Sequence, residues 1–166
     1  MTTDPGDDIV RLSARQLAVE YRQRNLSPVE VAAAHLRRIE ERDPVLNSYC
    51  LVDEDVTMSA ASEAESRLRE GRAKGVLDGV PVAIKDVVAT EVWPTRKGSQ
   101  AAGAAGPRVD APSVRRLRAA GCVPLGKTNT PELGWKAVTD SPLTGVTLNP
   151  WDPAMTAGGS SGGSAS

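Results

Sequence analysis

The sequence predicts an α/β fold, a β-sheet flanked by helices. Three observations point that way. Val29, Ala32, Leu36 and Ile39 recur at helical spacing in the N-terminal quarter. Two short apolar runs rich in β-branched residues, Val80–Ile84 and Cys122–Leu125, follow in the second half. Between those runs lies a helical pattern that Asp110 can cap and Gly121 can close. Strand, helix and strand in that order imply a βαβ unit.

The elements follow in chain order. Ser13 with Gln16 three residues on is a capping-box start, and the helix is expected to run to about Asn25. Ser27-Pro28-Val29-Glu30 is a clearer start, with a cap, Pro at the first helical position and Glu at the third. Pro44 is expected to end that helix. Asn47 to Val52 reads as a strand, and Asp53 caps a third helix with Val56, Ala60, Ala64 and Leu68 on one side. After Val80–Ile84 the chain is rich in Gly, Ala, Thr and Pro up to Pro107, so a long loop is expected there. Thr130-Pro131-Glu132 should open a short helix, and Val138 to Trp151 reads as loop.

Composition narrows the function. Hydrophobic residues make up 40% and charged residues 25%, ordinary for a globular protein. There is no Phe and aromatics are 3%, so the core must be built from Val, Leu, Ile and Ala. A net charge of −1 points away from nucleic acid and anionic membranes. No apolar run approaches the roughly 20 residues that span a bilayer. The acidic N-terminus lacks a secretory apolar core, which points to a cytoplasmic protein. Residues 1–11 are expected to be disordered, ahead of a domain over 12–166. Cys50 and Cys122 read as unpaired core thiols, too few and too far apart for a metal site. His35, the one histidine, falls inside the second helix and reads as a surface or boundary residue.

Three stretches carry possible chemistry. Lys85 ends the Val80–Ile84 run, where desolvation disfavours its cation and favours a neutral amine that can act as a base. The plain reading is a surface pair with Asp86. The stretch Gly158-Gly159-Ser160-Ser161-Gly162-Gly163-Ser164-Ala165-Ser166 has the composition of a flexible linker. It follows an Asn149-Pro150-Trp151-Asp152-Pro153 turn, an odd neighbour for a linker, and glycines let backbone N–H groups approach a reacting carbonyl. Gly121 to Thr128 satisfies the phosphate-loop pattern, but its first Gly ends a helix and its middle is apolar and strand-like. Pro124 also removes an N–H that a phosphate would need.

These pieces together resemble the amidase signature family of amide hydrolases, over about Leu12 to Ser166. The densest matches are Leu77–Asp86, Ala120–Asn129, Gly145–Trp151 and the terminal Gly-Ser stretch. The resemblance implies an amidase-signature-type mixed sheet flanked by helices, incomplete in this chain. It implies hydrolysis of a small-molecule amide by a serine, a second serine in a cis peptide and a lysine, without cofactor or metal. Lys85 matches the family's lysine and Ser160 its cis serine. Thr130 to Lys136 looks more like stand-alone amidases than like the family's tRNA-linked members, which act on mischarged tRNA.

A triad without histidine needs another base, and a neutral lysine suits that task. By the resemblance, Ser160 would relay the proton between Lys85 and the attacking serine. In the family that serine and the oxyanion hole lie in a later Gly-Ser segment, and Ser161, Ser164 and Ser166 follow Ser160 too closely to replace it. The chain therefore reads as the N-terminal part of an amidase, inactive alone, whose intact form could be a homodimer. Val92 to Gly98 departs from the family pattern near the substrate entrance. Two other readings stand beside this one: a non-catalytic chain that binds a partner through its amphipathic helices, and nucleotide binding through Gly121–Thr128.

Overall fold

The structure, a computed structural model, describes residues 8–103 and 108–166. The expected disorder of residues 1–11 falls mostly outside the described residues. Asp8 and Ile9 are helical, and Ile9 packs against Leu17, Tyr21 and Val31. The chain forms two compact units. One takes the stretches up to Glu41, Asp53–Val82 and Arg116–Leu125; the other takes Arg42–Val52, Ala83–Arg115 and Gly126–Ser166.

The first unit is built on helices whose starts follow the predicted caps. In α1 (Ala14–Gln23), Ser13 Oγ accepts from Gln16 N and the Gln16 side chain accepts from Ser13 N. The helix stops two residues before the expected Asn25, because Arg24 turns left-handed at φ 61°. In α2 (Pro28–Leu46), Ser27 and Glu30 form the second reciprocal box. Pro44 does not end α2: Pro44 lies in the last turn, where one missing N–H is tolerated, and the helix stops at left-handed Asn47. In α3 (Glu54–Arg69), Asp53 accepts from Val56 N at 3.1 Å, as the cap required.

With no Phe to fill it, the core of this unit is made of small side chains. Ala32, Ala61, Ala64 and Val123 pack together, each at most 1% exposed. Methyl-sized contacts allow helix and strand to approach closely. Leu17, Tyr21 and Val31 form a second cluster, with Leu12, Leu26 and Leu68 against it. Thr57 is fully enclosed, and its hydroxyl lies 2.7 Å from Asp53 O and 2.8 Å from Pro124 O, so its single proton has an acceptor. His35 is half-buried on α2, and burial lowers its pKa.

The main sheet has three strands in the order β1-β3-β2. β1 is Tyr49–Val52, β2 is Pro81–Lys85 and β3 is Val123–Thr128. β1 runs antiparallel to β3. Val123 N donates to Val80 O and Asp86 N to Thr128 O, so β2 and β3 advance together, the parallel pairing of the predicted βαβ unit. The intervening helix α4 is Pro112–Ala119. β3 is the central strand and almost wholly buried, whereas β2, expected to be buried, lies at the edge and is half-buried apart from Ile84. The phosphate-loop lookalike is therefore a helix end followed by a strand.

The second unit adds two hairpins where a loop was expected: β4 (Asp140–Ser141) with β5 (Gly145–Val146), and β6 (Leu148–Asn149) with β7 (Asp152–Thr156). The Asn-Pro-Trp-Asp turn joins β6 to β7, and Asn149 Oδ1 accepts from Trp151 N at 2.9 Å. The short helix expected at Thr130 is a single 3₁₀ turn, Glu132–Gly134. The terminal segment closes with α5 (Gly162–Ala165). Both cysteines are free, Cys122 buried and Cys50 half-buried. Among the described residues, no helix is long and apolar enough to cross a membrane.

Candidate active site

The site lies wholly within the second unit. Lys85 is the last residue of β2, and its amine donates to Ser160 Oγ at 2.7 Å and to Ser161 Oγ at 3.0 Å. The Gly159–Ser160 peptide bond is cis. Thr130 Oγ1 donates to Ser160 O at 3.3 Å, which ties the other side of Ser160 to the segment after β3. The sequence brought Lys85 and Ser160 into one hypothesis, and the fold places them in hydrogen-bond contact. It also brings in Ser161 at the amine and Thr130 at the Ser160 carbonyl, neither of which sequence reasoning placed in the site.

Lys85 is half-buried, not buried as a strand-end base would be. Its neighbours Ile84 and Asp86 are enclosed, at 7% and 3% exposure. Partial burial still lowers the pKa of the Lys85 amine below the ordinary lysine value, because desolvation penalises the cation. Its hydrogen-bond partners are hydroxyls, which can donate to a neutral amine as readily as accept from a charged one.

Asp86 does not pair with Lys85, which the plain reading of the sequence expected. Asp86, the first residue after β2, turns away from Lys85 and meets Lys127 from β3 at 3.0 Å. Lys127 is 1% exposed, and its amine also donates to Val88 O at 3.0 Å and to Thr95 Oγ1 at 2.8 Å. Those three acceptors match the three N–H donors of an ammonium. A lysine inside an apolar strand was the signal for this pair, since such a lysine is almost never buried without a carboxylate.

The terminal Gly-Ser stretch is packed backbone, not linker. A Cβ on Gly163 would stand 2.3 Å from Ser48 O and 2.4 Å from Asn129 N. One on Gly159 would meet Ala137 C and Val138 N at 2.7 Å. The serines are separately engaged: Ser164 Oγ lies 2.7 Å from Thr128 Oγ1, and Ser166 Oγ donates to Leu148 O at 2.9 Å. Ser160 and Ser161 alone among them hydrogen-bond to Lys85 in the described structure.

A lysine amine hydrogen-bonded to a serine hydroxyl at the end of a sheet strand is a pair that can pass a proton, and comparison with known proteins is specific about the family that carries it. Residues 30–166 match the family described as Amidase, and the chain belongs to it. It is 42% identical over 158 residues to a glutamyl-tRNA(Gln) amidotransferase component of Acidothermus cellulolyticus, covering 95% of this chain and 31% of that protein. It is 40% identical over 162 residues to the indoleacetamide hydrolase of Bradyrhizobium diazoefficiens, covering 98% and 31%. The native peptide amidase of Stenotrophomonas maltophilia superposes with a TM-score of 0.85 at 34% identity, over 93% of this chain and 33% of that one. The chain thus spans about a third of the length of the relatives it matches. A tRNA-linked relative and a hydrolase match almost equally, so overall identity does not separate the two kinds of relative contrasted at Thr130–Lys136.

Proposed function

We propose that the protein carrying this chain hydrolyses the C–N bond of small-molecule amides. Lys85 is the base, Ser160 relays the proton, and the attacking serine lies outside these 166 residues. The observation that supports this reading most is the 2.7 Å contact between Lys85 Nζ and Ser160 Oγ. Desolvation lowers the pKa of Lys85, the direction that favours the neutral amine the first step needs. The amine draws a proton from Ser160, and Ser160 draws one from the attacking serine. The serine oxygen bonds to the amide carbon, the C–N bond breaks, and the proton returns through Ser160 to the leaving amine. Water then releases the acyl group and restores the serine.

This chain alone is proposed to be inactive, since Lys85 and Ser160 pass a proton but need a nucleophile at its far end and an oxyanion hole opposite. The partner-binding alternative is weaker for a physical reason: the apolar helix faces it would use already pack on each other around Ala32, Ala61 and Ala64 and around Leu17, Tyr21 and Val31. Nucleotide binding is weaker because Lys127, the lysine of the lookalike motif, is enclosed against Asp86.

The test is hydrolysis of simple aliphatic and aryl amides by the protein carrying this chain. Lys85→Ala and Ser160→Ala should each lower kcat by ~10³-fold or more, with unchanged circular dichroism. Wild-type rates in either variant would remove that residue from the mechanism. Robust turnover by the 166-residue chain alone, lost in Ser160→Ala, would mean that a serine within this chain attacks the substrate.

A further inference from the structure

Asp86 occupies an unusual position. It directly follows the lysine proposed as the base, yet its side chain is spent on the opposite face of the strand, on Lys127. It is also fixed at four points. Its backbone N donates to Thr128 O at 3.0 Å, and its backbone O accepts from Lys97 N at 3.1 Å. Its Oδ1 meets Lys127, and its Oδ2 accepts from Arg96 N at 3.2 Å. Lys127 in turn holds Val88 O and Thr95 Oγ1, both in the loop that leaves β2. Cys50, whose thiol donates to Lys127 O at 3.4 Å, and Arg96 are titratable or charged groups that also lie beside the pair.

The two faces of the strand ends divide the work. Asp86 and Lys127 lock one face. Lys85 and Thr128 project from the other, to Ser160 and Ser161 and to Ser164 respectively. The Lys85 side chain has no ion pair to hold it among the described residues, so the placement of its amine rests on its backbone and on two hydroxyls.

We propose that the Asp86–Lys127 pair is a positioning device for Lys85. By fixing the backbone on the C-terminal side of Lys85, the pair sets the distance and direction from its amine to Ser160. The proposal rests on the lysine–serine relay reading. It assigns neither Asp86 nor Lys127 any contact with substrate.

Lys127→Met alone would leave a buried carboxylate unpaired, so the decisive variant removes both charges: Asp86→Asn with Lys127→Met. Asn keeps an acceptor for Arg96 N, and replacing both members of a buried pair is far milder than removing one. Two readouts are taken on the protein carrying this chain. The first is the pH midpoint for acetylation of Lys85 by trace acetic anhydride, followed by peptide mass spectrometry. The second is kcat and KM for an amide. The expected result is a Lys85 midpoint displaced from wild type and a kcat lower by roughly 10²-fold, with KM within about twofold, the signature of a displaced group. A folded double variant with wild-type midpoint and wild-type kcat overturns the proposal.

Thr95→Val keeps both charges and removes one acceptor of Lys127. It should move both readouts in the same direction, with kcat down roughly fivefold. Should the double variant not fold, Thr95→Val decides: a Thr95→Val protein identical to wild type in both readouts also overturns the proposal. If wild type hydrolyses no amide, the relay reading fails, while the acetylation midpoints still report whether the pair positions Lys85.

Discussion

Lys85 and Lys127 stand on neighbouring strands of one sheet and live in opposite environments. Lys127 is sealed, with a carboxylate, a carbonyl and a hydroxyl around its amine. Lys85 is half-buried and touches two hydroxyls. Depth alone therefore does not mark a candidate base. Lys127 is the deeper of the two, but its environment is complete and supplies a counter-charge. Lys85 is shallower, but desolvation acts on it without a counter-charge, and that combination disfavours the cation. Lys127 is held in a complete ionic network, and Lys85 is the one proposed for proton transfer.

The largest expected effect breaks the structural side of this comparison. Lys127→Met should destabilise the fold by about 3–5 kcal/mol, because it leaves Asp86 buried and unpaired. Lys85→Met should change stability by less than about 1 kcal/mol, since a half-exposed amine on two hydroxyls has little to lose. Urea denaturation monitored by circular dichroism measures both. Equal losses in the two variants would erase the distinction.

Much of this was legible from the sequence, and what was not has identifiable causes. Both capping boxes, the Asp53 cap and the βαβ unit were visible because they are local or periodic signals. Pro44 was misread because a proline in a last turn costs only one hydrogen bond, whereas one in mid-helix costs the helix. The hairpins from Asp140 to Thr156 were missed because β4, β5 and β6 are only two residues long and β7 is exposed at all five positions, so neither kind shows a buried/exposed alternation. At the site, Lys85 and Ser160 could be joined on the page only through the family resemblance, since 75 residues separate them. The Asp86–Lys127 pair was hidden for another reason. Lys85-Asp86 reads as a local ion pair in one dimension, and only the fold sends the two side chains to different partners.

The next effect concerns the packed Gly-Ser stretch that carries Ser160. Gly163→Ala should cost about 1–3 kcal/mol, because its Cβ would meet backbone atoms of Ser48 and Asn129 that cannot swing aside. Gly158→Ala is the control. Nothing lies within 4 Å of its Cβ position, so stability should stay within about 0.5 kcal/mol of wild type. Thermal melts of the two variants separate a packed segment from a linker, since a linker would tolerate both.

The proton side of the comparison is sharpened by pH. The folded-state pKa of Lys85 is lowered, so between that value and the ordinary lysine value near 10.4 the unfolded chain binds the extra proton. Across that window the Lys85 contribution to stability rises with pH, as the penalty on the buried cation disappears. Below it the penalty is fully present. Lys85→Met should remove this slope. For amide hydrolysis by the protein carrying this chain, the rise of kcat/KM with pH should have its midpoint below the ordinary lysine value. A midpoint at or above that value would contradict a base made neutral by desolvation.

The smallest effect tests whether the two hydroxyls on Lys85 are equivalent. Ser160 and Ser161 both accept from its amine, at 2.7 and 3.0 Å, yet only Ser160 is placed in the relay. Ser160 O is also held by Thr130 Oγ1, so its position is fixed from two sides. Ser161 has the longer bond to the amine and is the more exposed of the two serines. Ser161→Ala removes one hydrogen bond to Lys85 and leaves the relay contact in place. It should lower kcat by roughly fivefold, the worth of about 1 kcal/mol, with stability within about 0.5 kcal/mol of wild type. Ser160→Ala should be at least ~10²-fold more severe in kcat under the same assay. If Ser161→Ala proved the more severe, the relay would run through Ser161, and the assignment of roles between these adjacent serines would reverse.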